Sequence, residues 1–284
     1  MPRGSDQSLI IGGTGLVGGY IVAHLGGRGG RPLVLSRTER TSPSIAYIRG
    51  DLRDPASLRL PEFATLYCTA DAVLLAQALP HLLGPRLRRV VAFSSTSVLT
   101  KLDSQIARER QRMQDLIDAE EQIAAICSQH GIGWTILRPT LIYAEGRDSN
   151  ITPLSRLISR FGFMPLVGSA GGLRQPVHAE DLALGAIAAA DSPASINKTY
   201  ALPGLETITY REMIGRIFDG LGRPRRTVSL PPALWRLVFL LAKPLFPSAN
   251  VAWGLRMTKD MTFDAGPAVA DFGWSPRAFH PVFT

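Results

Sequence analysis

Residues 9–22 constrain this chain more tightly than any other stretch. A β-branched apolar run, Leu9-Ile10-Ile11, stops at Gly12. Gly15 and Gly18 follow at three-residue spacing, and a helical pattern (Leu16, Tyr20, Val22, Ala23) begins inside the glycines. That is a strand, a tight turn and a helix N-terminus. Gly12 permits the turn, Gly15 brings the backbone close to a ligand, and Gly18 lets the helix pack on the strand. Free backbone N–H groups and the positive end of the helix dipole then face one point, a geometry suited to a pyrophosphate. The competing reading is a glycine-rich β–α turn that holds nothing.

The rest of the first half repeats the alternation. Short apolar runs at 7–12, 32–36, 44–49, 64–69, 89–94 and 133–138 read as strands, and 16–26, 72–84 and 105–130 read as helices. The link 37–43 is too short and polar for a helix. The long helix carries Ile106, Met113, Leu116, Ile117, Ile123 and Ile126 on one side, which faces the sheet or a second subunit. The expected fold is α/β: a Rossmann-like, doubly wound parallel sheet with a small, mainly helical C-terminal lobe. After 145 Pro and Gly become frequent. A helix at 179–190, with Glu180 and Asp181 in its first turn, and a strand at 198–202 return to the sheet. Shorter helices are expected at 209–221, 232–243 and 248–258. The expected division is 1–145 with 173–203 for the sheet domain, and 146–172 with 204–284 for the substrate lobe. Residues 233–246 are the most apolar stretch but fall short of the ~20 residues that cross a bilayer. A buried helix, the wall of an apolar pocket and a membrane-surface segment are the three readings of it.

The 284 residues carry 31 Lys and Arg against 23 Asp and Glu, a net charge of +8. Basic clusters fall at 86–89 and 223–226. With no nucleic-acid motif or interleaved aromatics beside them, they read as solvated loop ends, and no nucleic-acid partner is expected. Cys68 and Cys127 lack metal-ligand spacing, so no metal is expected and free thiols in a reducing cytoplasm are the simplest account. The polar opening at 2–7 fits no signal peptide, and no transmembrane segment is expected. Peripheral membrane contact stays open, as do a monomer and a homodimer.

Five segments occur in a telling order: Gly12-Gly13-Thr14-Gly15-Leu16-Val17-Gly18; Gly50-Asp51-Leu52; Phe93-Ser94-Ser95-Thr96-Ser97-Val98; Leu137-Arg138-Pro139-Thr140-Leu141-Ile142-Tyr143; and Arg174-Gln175-Pro176-Val177-His178-Ala179-Glu180-Asp181. With them the chain resembles, over nearly its whole length, an atypical branch of the extended short-chain dehydrogenase/reductases, the NAD-dependent epimerase/dehydratase type. The resemblance implies a small-molecule substrate and a nicotinamide dinucleotide. The dinucleotide would be held by Gly12, Thr14, Gly15, Leu16, Val17 and Gly18, by Asp51 and Leu52 at adenine, and by Ser94 and Pro139 towards the nicotinamide. The second strand ends Ser36-Arg37 where an NAD site usually carries an acid for the ribose 2′-OH. A hydroxyl and a guanidinium suit a 2′-phosphate, and Arg40 adds a second charge. NADP(H) is therefore expected, with NAD(H) admissible. The alternative is that Arg37 stacks on adenine without discriminating.

The same resemblance implies a Ser or Thr that polarises the substrate, filled by Ser95, and a Tyr with a Lys four residues on. Those two fall at about 112 and 116, where this chain has Arg112 and Leu116. The helix holds neither Tyr nor Lys. Lys101, just past the catalytic strand, and Tyr143 are the candidates to act in their stead. Glu109 and Arg112 also stand on the early turns of the helix. Ordinary solvation of the charges and packing of the tyrosine are the plain alternatives. Arg174 and His178 are the candidates for the substrate. Two functions follow. One is an NADP(H)-dependent oxidoreductase or epimerase acting on a carbonyl or secondary alcohol of a small, apolar substrate. The other is a non-catalytic NADPH-binding redox sensor or accessory subunit, as in the NmrA-like regulators and a nucleotide-binding subunit of respiratory complex I.

Overall fold

The structure, a computed structural model, describes residues 7–102, 104, 106–231, 233–235 and 257–283. The expected helix at 248–258, but for its last two residues, and all but the first three residues of 233–246 lie outside them. The chain divides into two compact units. One comprises Met1–Thr140, Ala179–Leu202 and Asp264–Pro276; the other comprises Leu141–His178, Pro203–Phe263 and Arg277–Thr284.

The first unit is built on seven strands: β1 (Ser8–Ile11), β2 (Leu33–Ser36), β3 (Ala46–Arg49), β4 (Thr65–Cys68), β5 (Arg89–Phe93), β6 (Gly133–Pro139) and, after the excursion through the second unit, the strand at Lys198–Leu202. All neighbours pair parallel, in the order β3-β2-β1-β4-β5-β6 and then Lys198–Leu202 at the far edge. The order reverses between β1 and β4, and in such sheets ligands bind outside the carboxyl ends of the strands at that point. The runs Leu9-Ile10-Ile11 and Val90-Val91-Ala92 are apolar at every position because helices cover both faces. The helices are α1 (Leu16–Gly27), α2 (Ala72–Leu82) and α3 (Ala107–Gln129). A fourth, Ala179–Asp191, packs on α1, where His24 Nε2 and Glu180 Oε1 stand 3.1 Å apart. Residues 37–45 form no helix. The apolar side of α3 packs on α2 and β6, with Met113, Leu116, Ile123 and Cys127 buried.

One of the two basic clusters departs from its sequence reading. Arg89 is buried, not solvated. Its Nη2 donates to Thr135 Oγ1 (2.6 Å), Ser195 Oγ (2.6 Å) and the Ala189 carbonyl (2.8 Å), in the last turn of the Ala179–Asp191 helix. That carbonyl lies at the negative end of a helix dipole, which accommodates the cation. Burial pulls the guanidinium below its ordinary pKa. Arg223 to Arg226 are exposed, as expected.

The second unit contains β7 (Ile142–Tyr143), α4 (Thr152–Phe161), β8 (Met164–Val167), β9 (Leu173–Arg174) and β10 (Val177–His178). With the Ala179–Asp191 helix as α5 and the Lys198–Leu202 strand as β11, the second unit continues through β12 (Ile208–Thr209), α6 (Tyr210–Gly220) and β13 (Thr227–Leu230). A final helix, α7 (Gly266–Phe272), belongs to the first unit. Three two-stranded ladders, β7–β10, β9–β12 and β8–β13, and the helices α4 and α6 enclose a core of Ile151, Ile158, Met213, Ile217 and Phe218. Among the described residues no helix is long and apolar enough to cross a membrane.

Asp148 organises the entry to α4. Its carboxylate accepts from the backbone N–H of Ile151 (2.5 Å), Asn150 (2.7 Å), Thr152 and Ala144 (3.2 Å each), and from the Thr152 hydroxyl (2.7 Å). Burial opposes ionisation, but these donors outweigh it and hold the carboxyl below the usual range. A carboxyl with a lower pKa folded than unfolded stabilises the fold above its unfolded pKa, about 3.9, and loses that contribution as pH falls through the folded value. Asp148→Asn is therefore expected to cost about 2 kcal/mol at pH 7. The penalty should shrink below pH 4 in thermal melts taken across the acid range.

Candidate functional site

The glycine turn opens where the strand order reverses. Gly12 sits at φ +81°, and Gly15 donates to its carbonyl at 2.8 Å. Thr69, directly after β4, ties the turn down. Its amide donates to the Ile11 carbonyl at 2.9 Å and its hydroxyl to the Gly12 carbonyl at 3.2 Å. A Cβ on Gly18 would stand 2.2 Å from the Gly12 oxygen, so α1 meets the turn backbone to backbone. A Cβ on Gly15 would meet only that oxygen, at 3.1 Å, and otherwise open space. No side chain caps the N-terminus of α1 and no acid lies in its first turn, which leaves its amides and dipole for an external anion. Gly13 was not singled out in the sequence. A Cβ there would press on Val34, Ile10 and Val22, so it seats α1 over β1 and β2.

Beside the turn lies a groove of about 250 Å³. Gly12, Thr14, Ser36, Arg37, Asp51 and Leu52 line it, so six residues expected at the cofactor share one cavity. It is smaller than the ~300–1,000 Å³ of pockets that take up a whole ligand. The Ser36 hydroxyl turns inward, donating to the Thr38 carbonyl (2.8 Å) and accepting from its amide (3.3 Å). Arg37 is exposed at the rim. Arg53, missed in the sequence although it stands two residues after Asp51, lines the same groove, 3.9 Å from the Asp51 carboxylate. Larger cavities exist, but the one lined by Arg28, Arg31 and Arg86 lies with Ser8 and Ala64, at the amino ends of the strands.

Further along the carboxyl ends, Ser94 and Ser95 follow β5, and Pro139 ends β6. Thr96 joins them, its hydroxyl donating to the Pro139 carbonyl at 3.0 Å. Ser95 is half-buried and caps the short turn of helix at Thr96–Leu99, accepting from the Ser97 amide at 3.1 Å. Ser94 Oγ is buried and has no hydrogen-bond partner among the described residues. Lys101 is half-exposed after this turn, and Ser104 links to Glu109 at 2.8 Å. On α3, Arg112 Nη2 donates to Asp71 Oδ2 at 2.7 Å, while Asp71 Oδ1 caps α2 through the Val73 amide. Leu116 is buried in the core of the unit. Both positions that would carry the Tyr and Lys are thus engaged: one in an ion pair, the other in packing. One turn further, Glu120 receives Arg138 from β6 in a forked pair, with Nε 3.1 Å from both carboxylate oxygens.

The remaining candidates belong to the second unit, where they pack together. Tyr143 is buried, edge-on to His178 (5.1 Å between ring centres) and to Phe279 (4.9 Å). His178 Nε2 stands 3.5 Å from Glu145 Oε2. Burial raises the Glu145 pKa, but hydrogen bonds, first among them that of His178, bring the net shift below the usual range. Arg174 is buried, donates to the Leu173 and Lys259 carbonyls at 2.7 Å each, and lies 5.6 Å from the Tyr210 ring centre. Among the described residues no cluster of His, Cys, Asp or Glu is arranged for a metal. Both cysteines are free and buried, which pushes each thiol up to about 12.

No family model matches the sequence. The chain is 26% identical over 248 residues to the mitochondrial NADH dehydrogenase [ubiquinone] 1 alpha subcomplex subunit 9 of Arabidopsis thaliana, a match covering 79% of this chain and 60% of that protein. It is 24% identical over 159 residues to the UDP-glucose 4-epimerase of Vibrio cholerae, covering 56% and 47% respectively. These matches span only about half to three-fifths of the relatives' lengths. The UDP-glucuronic acid 4-epimerase of Bacillus cereus, solved in complex with UDP-glucuronic acid and NAD, superposes with a TM-score of 0.73 at 13% identity, over 96% of this chain and 94% of that one. Strand order, glycine turn and superposition agree: the fold is that of the extended short-chain dehydrogenase/reductases, the NAD-dependent epimerase/dehydratase type.

Proposed function

We propose that the chain binds a nicotinamide dinucleotide, NADP(H) in preference to NAD(H), and holds it without the Tyr–Lys proton relay. The observation that carries this reading is the groove beside the glycine turn. Gly12 and the first turn of α1 would cradle the pyrophosphate, Asp51 and Leu52 would flank the adenine, and Ser94 and Pro139 would lie towards the nicotinamide. Arg37 at the rim would pair the 2′-phosphate, with Arg53 as a second cation. The inward-turned Ser36 hydroxyl leaves that discrimination to the arginines. Arg37→Asp is expected to weaken NADPH roughly 100-fold, the value of a charge-assisted contact reversed to repulsion, and NADH less than five-fold. Parallel fluorescence titrations measure both, and equal losses would remove Arg37 from phosphate reading.

A nicotinamide held here would supply or accept hydride. Whether this chain uses that chemistry turns on the proton. Arg112 is tied to Asp71 and Leu116 is in the core, which favours an accessory or redox-sensing role. The relative among the respiratory-chain subunits is consistent with it. An oxidoreductase or epimerase acting on a carbonyl or secondary alcohol is the second reading. It is favoured by Ser95, half-exposed beside the Thr96–Pro139 bridge, with Lys101 following. Ser95 would then polarise the substrate oxygen and Lys101 would steer the proton or an anionic group. Slow NADPH release with no turnover on a panel of aldehydes, ketones and UDP-sugars supports the first reading. Hydride transfer that disappears in Ser95→Ala supports the second.

A further inference from the structure

The net charge of the chain is not shared between its units. The first unit holds 17 Lys and Arg against 17 Asp and Glu, while the second holds 14 against 6, so the whole +8 belongs to the second. The imbalance has a local origin. No Asp or Glu occurs between Asp148 and Glu180, nor between Asp219 and Asp260. The β8–β13 ladder joins these two acid-free segments, with Pro165 opposite Val228.

Alternation along that ladder sorts its side chains. Met164 and Leu166 point into the core, and Val167, at the end of β8, is buried with them, so the open part of the other face is its beginning. Residues two apart share a face, so Phe163 and Pro165 lie on the opposite side, with Val228 and Arg226. The Met164 amide donates to the Arg226 carbonyl at 2.9 Å, which sets Arg226 beside Phe163. Phe161 ends α4 two residues earlier, with the Arg160 guanidinium 5.4 Å from its ring centre. Arg223 reaches the same helix end, donating to the Ile158 carbonyl at 3.4 Å. Phe161, Phe163 and Val228 are 47%, 43% and 48% exposed.

We propose that this face of the second unit docks on an anionic lipid surface, with Phe161, Phe163 and Val228 entering the headgroup boundary and Arg160, Arg223 and Arg226 meeting lipid phosphates. Asp219 and Glu212 take up Arg225 and leave Arg160, Arg223 and Arg226 beside the exposed apolar side chains, which suits a charged interface that is apolar just beneath. A nucleic-acid surface has no use for an exposed valine at its centre, and a phosphate-bearing small molecule has none for two exposed phenylalanines.

Flotation of the full chain with vesicles tests this, comparing phosphatidylcholine alone with vesicles in which about a third of the lipid is phosphatidylglycerol. Binding is expected to the anionic vesicles only, falling steeply between ~0.1 and ~0.5 M salt. Arg160→Gln with Arg226→Gln should weaken it about 25-fold, five-fold per arginine. Phe161→Ser with Phe163→Ser should weaken it ten-fold or more, with melting temperature unchanged because all four side chains are exposed. Equal binding to both vesicle types, or binding to neither, overturns the proposal. So does a loss in the arginine pair without one in the phenylalanine pair, the pattern of a polyanion surface. The wild-type lipid and salt dependence decides the matter even if a variant folds poorly.

Discussion

Gly15→Asp is expected to abolish nucleotide binding while leaving the fold intact, whereas Gly18→Val should weaken both. The two glycines stand one turn apart on the same helix start and differ in what surrounds them. Gly15 has ordinary extended dihedrals, φ −83° and ψ −176°, and occupies the N-cap of α1 with no side-chain cap of its own. Asp is among the best N-cap residues, so the helix is not weakened. The new carboxylate instead takes the helix amides for itself and sets a negative charge where a pyrophosphate must approach. A loss of more than about 100-fold in NADPH affinity follows, with melting unchanged. Val at 18 is different. Its Cβ would lie 2.2 Å from the Gly12 oxygen and 2.8 Å from Thr69 Oγ1, so α1 must move off the turn. Overpacking of that kind costs about 1–3 kcal/mol and lowers melting by roughly 2–8 °C. Unchanged NADPH titration in Gly15→Asp would sink the whole nucleotide reading.

The second large effect concerns Glu120 and Arg138. The Glu120 side chain is only 6% exposed and that of Arg138 21%, so water reaches little of either and each is the other's main polar partner. Glu120→Ala leaves a half-desolvated guanidinium without a partner, which costs about 3–5 kcal/mol. In a chain of this size that is roughly 10 °C of melting temperature by calorimetry. Replacing both, as Glu120→Leu with Arg138→Met, should recover most of the loss, because a buried pair contributes little over apolar residues of similar volume. The location gives the pair a second role. Arg138 immediately precedes Pro139, whose carbonyl receives the Thr96 hydroxyl. The single variant should therefore also loosen nucleotide binding, more at the nicotinamide end than at the adenine end. Comparing NADPH with ADP-ribose 2′-phosphate as ligands would separate the two ends.

The sheet was legible in the sequence because its evidence is local. Strands buried on both faces must be apolar at every position, and helices between them must show a 3.6-residue stripe. The Gly12 turn was legible for the same reason, since a positive φ is a demand of one residue. Gly13 was not, because what excludes a Cβ there is Val34 and Val22, residues that the fold brings in from elsewhere. Arg89 was misread because Arg-Leu-Arg-Arg looks like any solvated loop end until Thr135, Ser195 and the end of α5 close over one of the three. For the candidate site, sequence suggested which residues lie near the groove but not which way their atoms turn. Ser36 bonds its own turn, a short-range choice open to any Ser. Arg174 is taken up by two carbonyls, and Tyr143 stands among aromatic rings. Whether Arg112 would be solvated or paired was likewise undetermined until α2 placed Asp71 beside it.

The fate of position 116 reaches beyond chemistry into history. Leu116 packs among the buried residues of the first unit, with Met113, Ala119 and Ile123 of its own helix. Restoring a lysine there would force an ammonium into that core, at a desolvation cost of several kcal/mol, comparable to the stability of an entire domain. Restoring the tyrosine at 112 would also strip Asp71 of its cation. Neither step is neutral alone, and together they do not recover what each gives up. The packing of α3 therefore works as a ratchet: with leucine at 116 and arginine at 112, a tyrosine–lysine pair cannot be introduced one residue at a time without loss of stability.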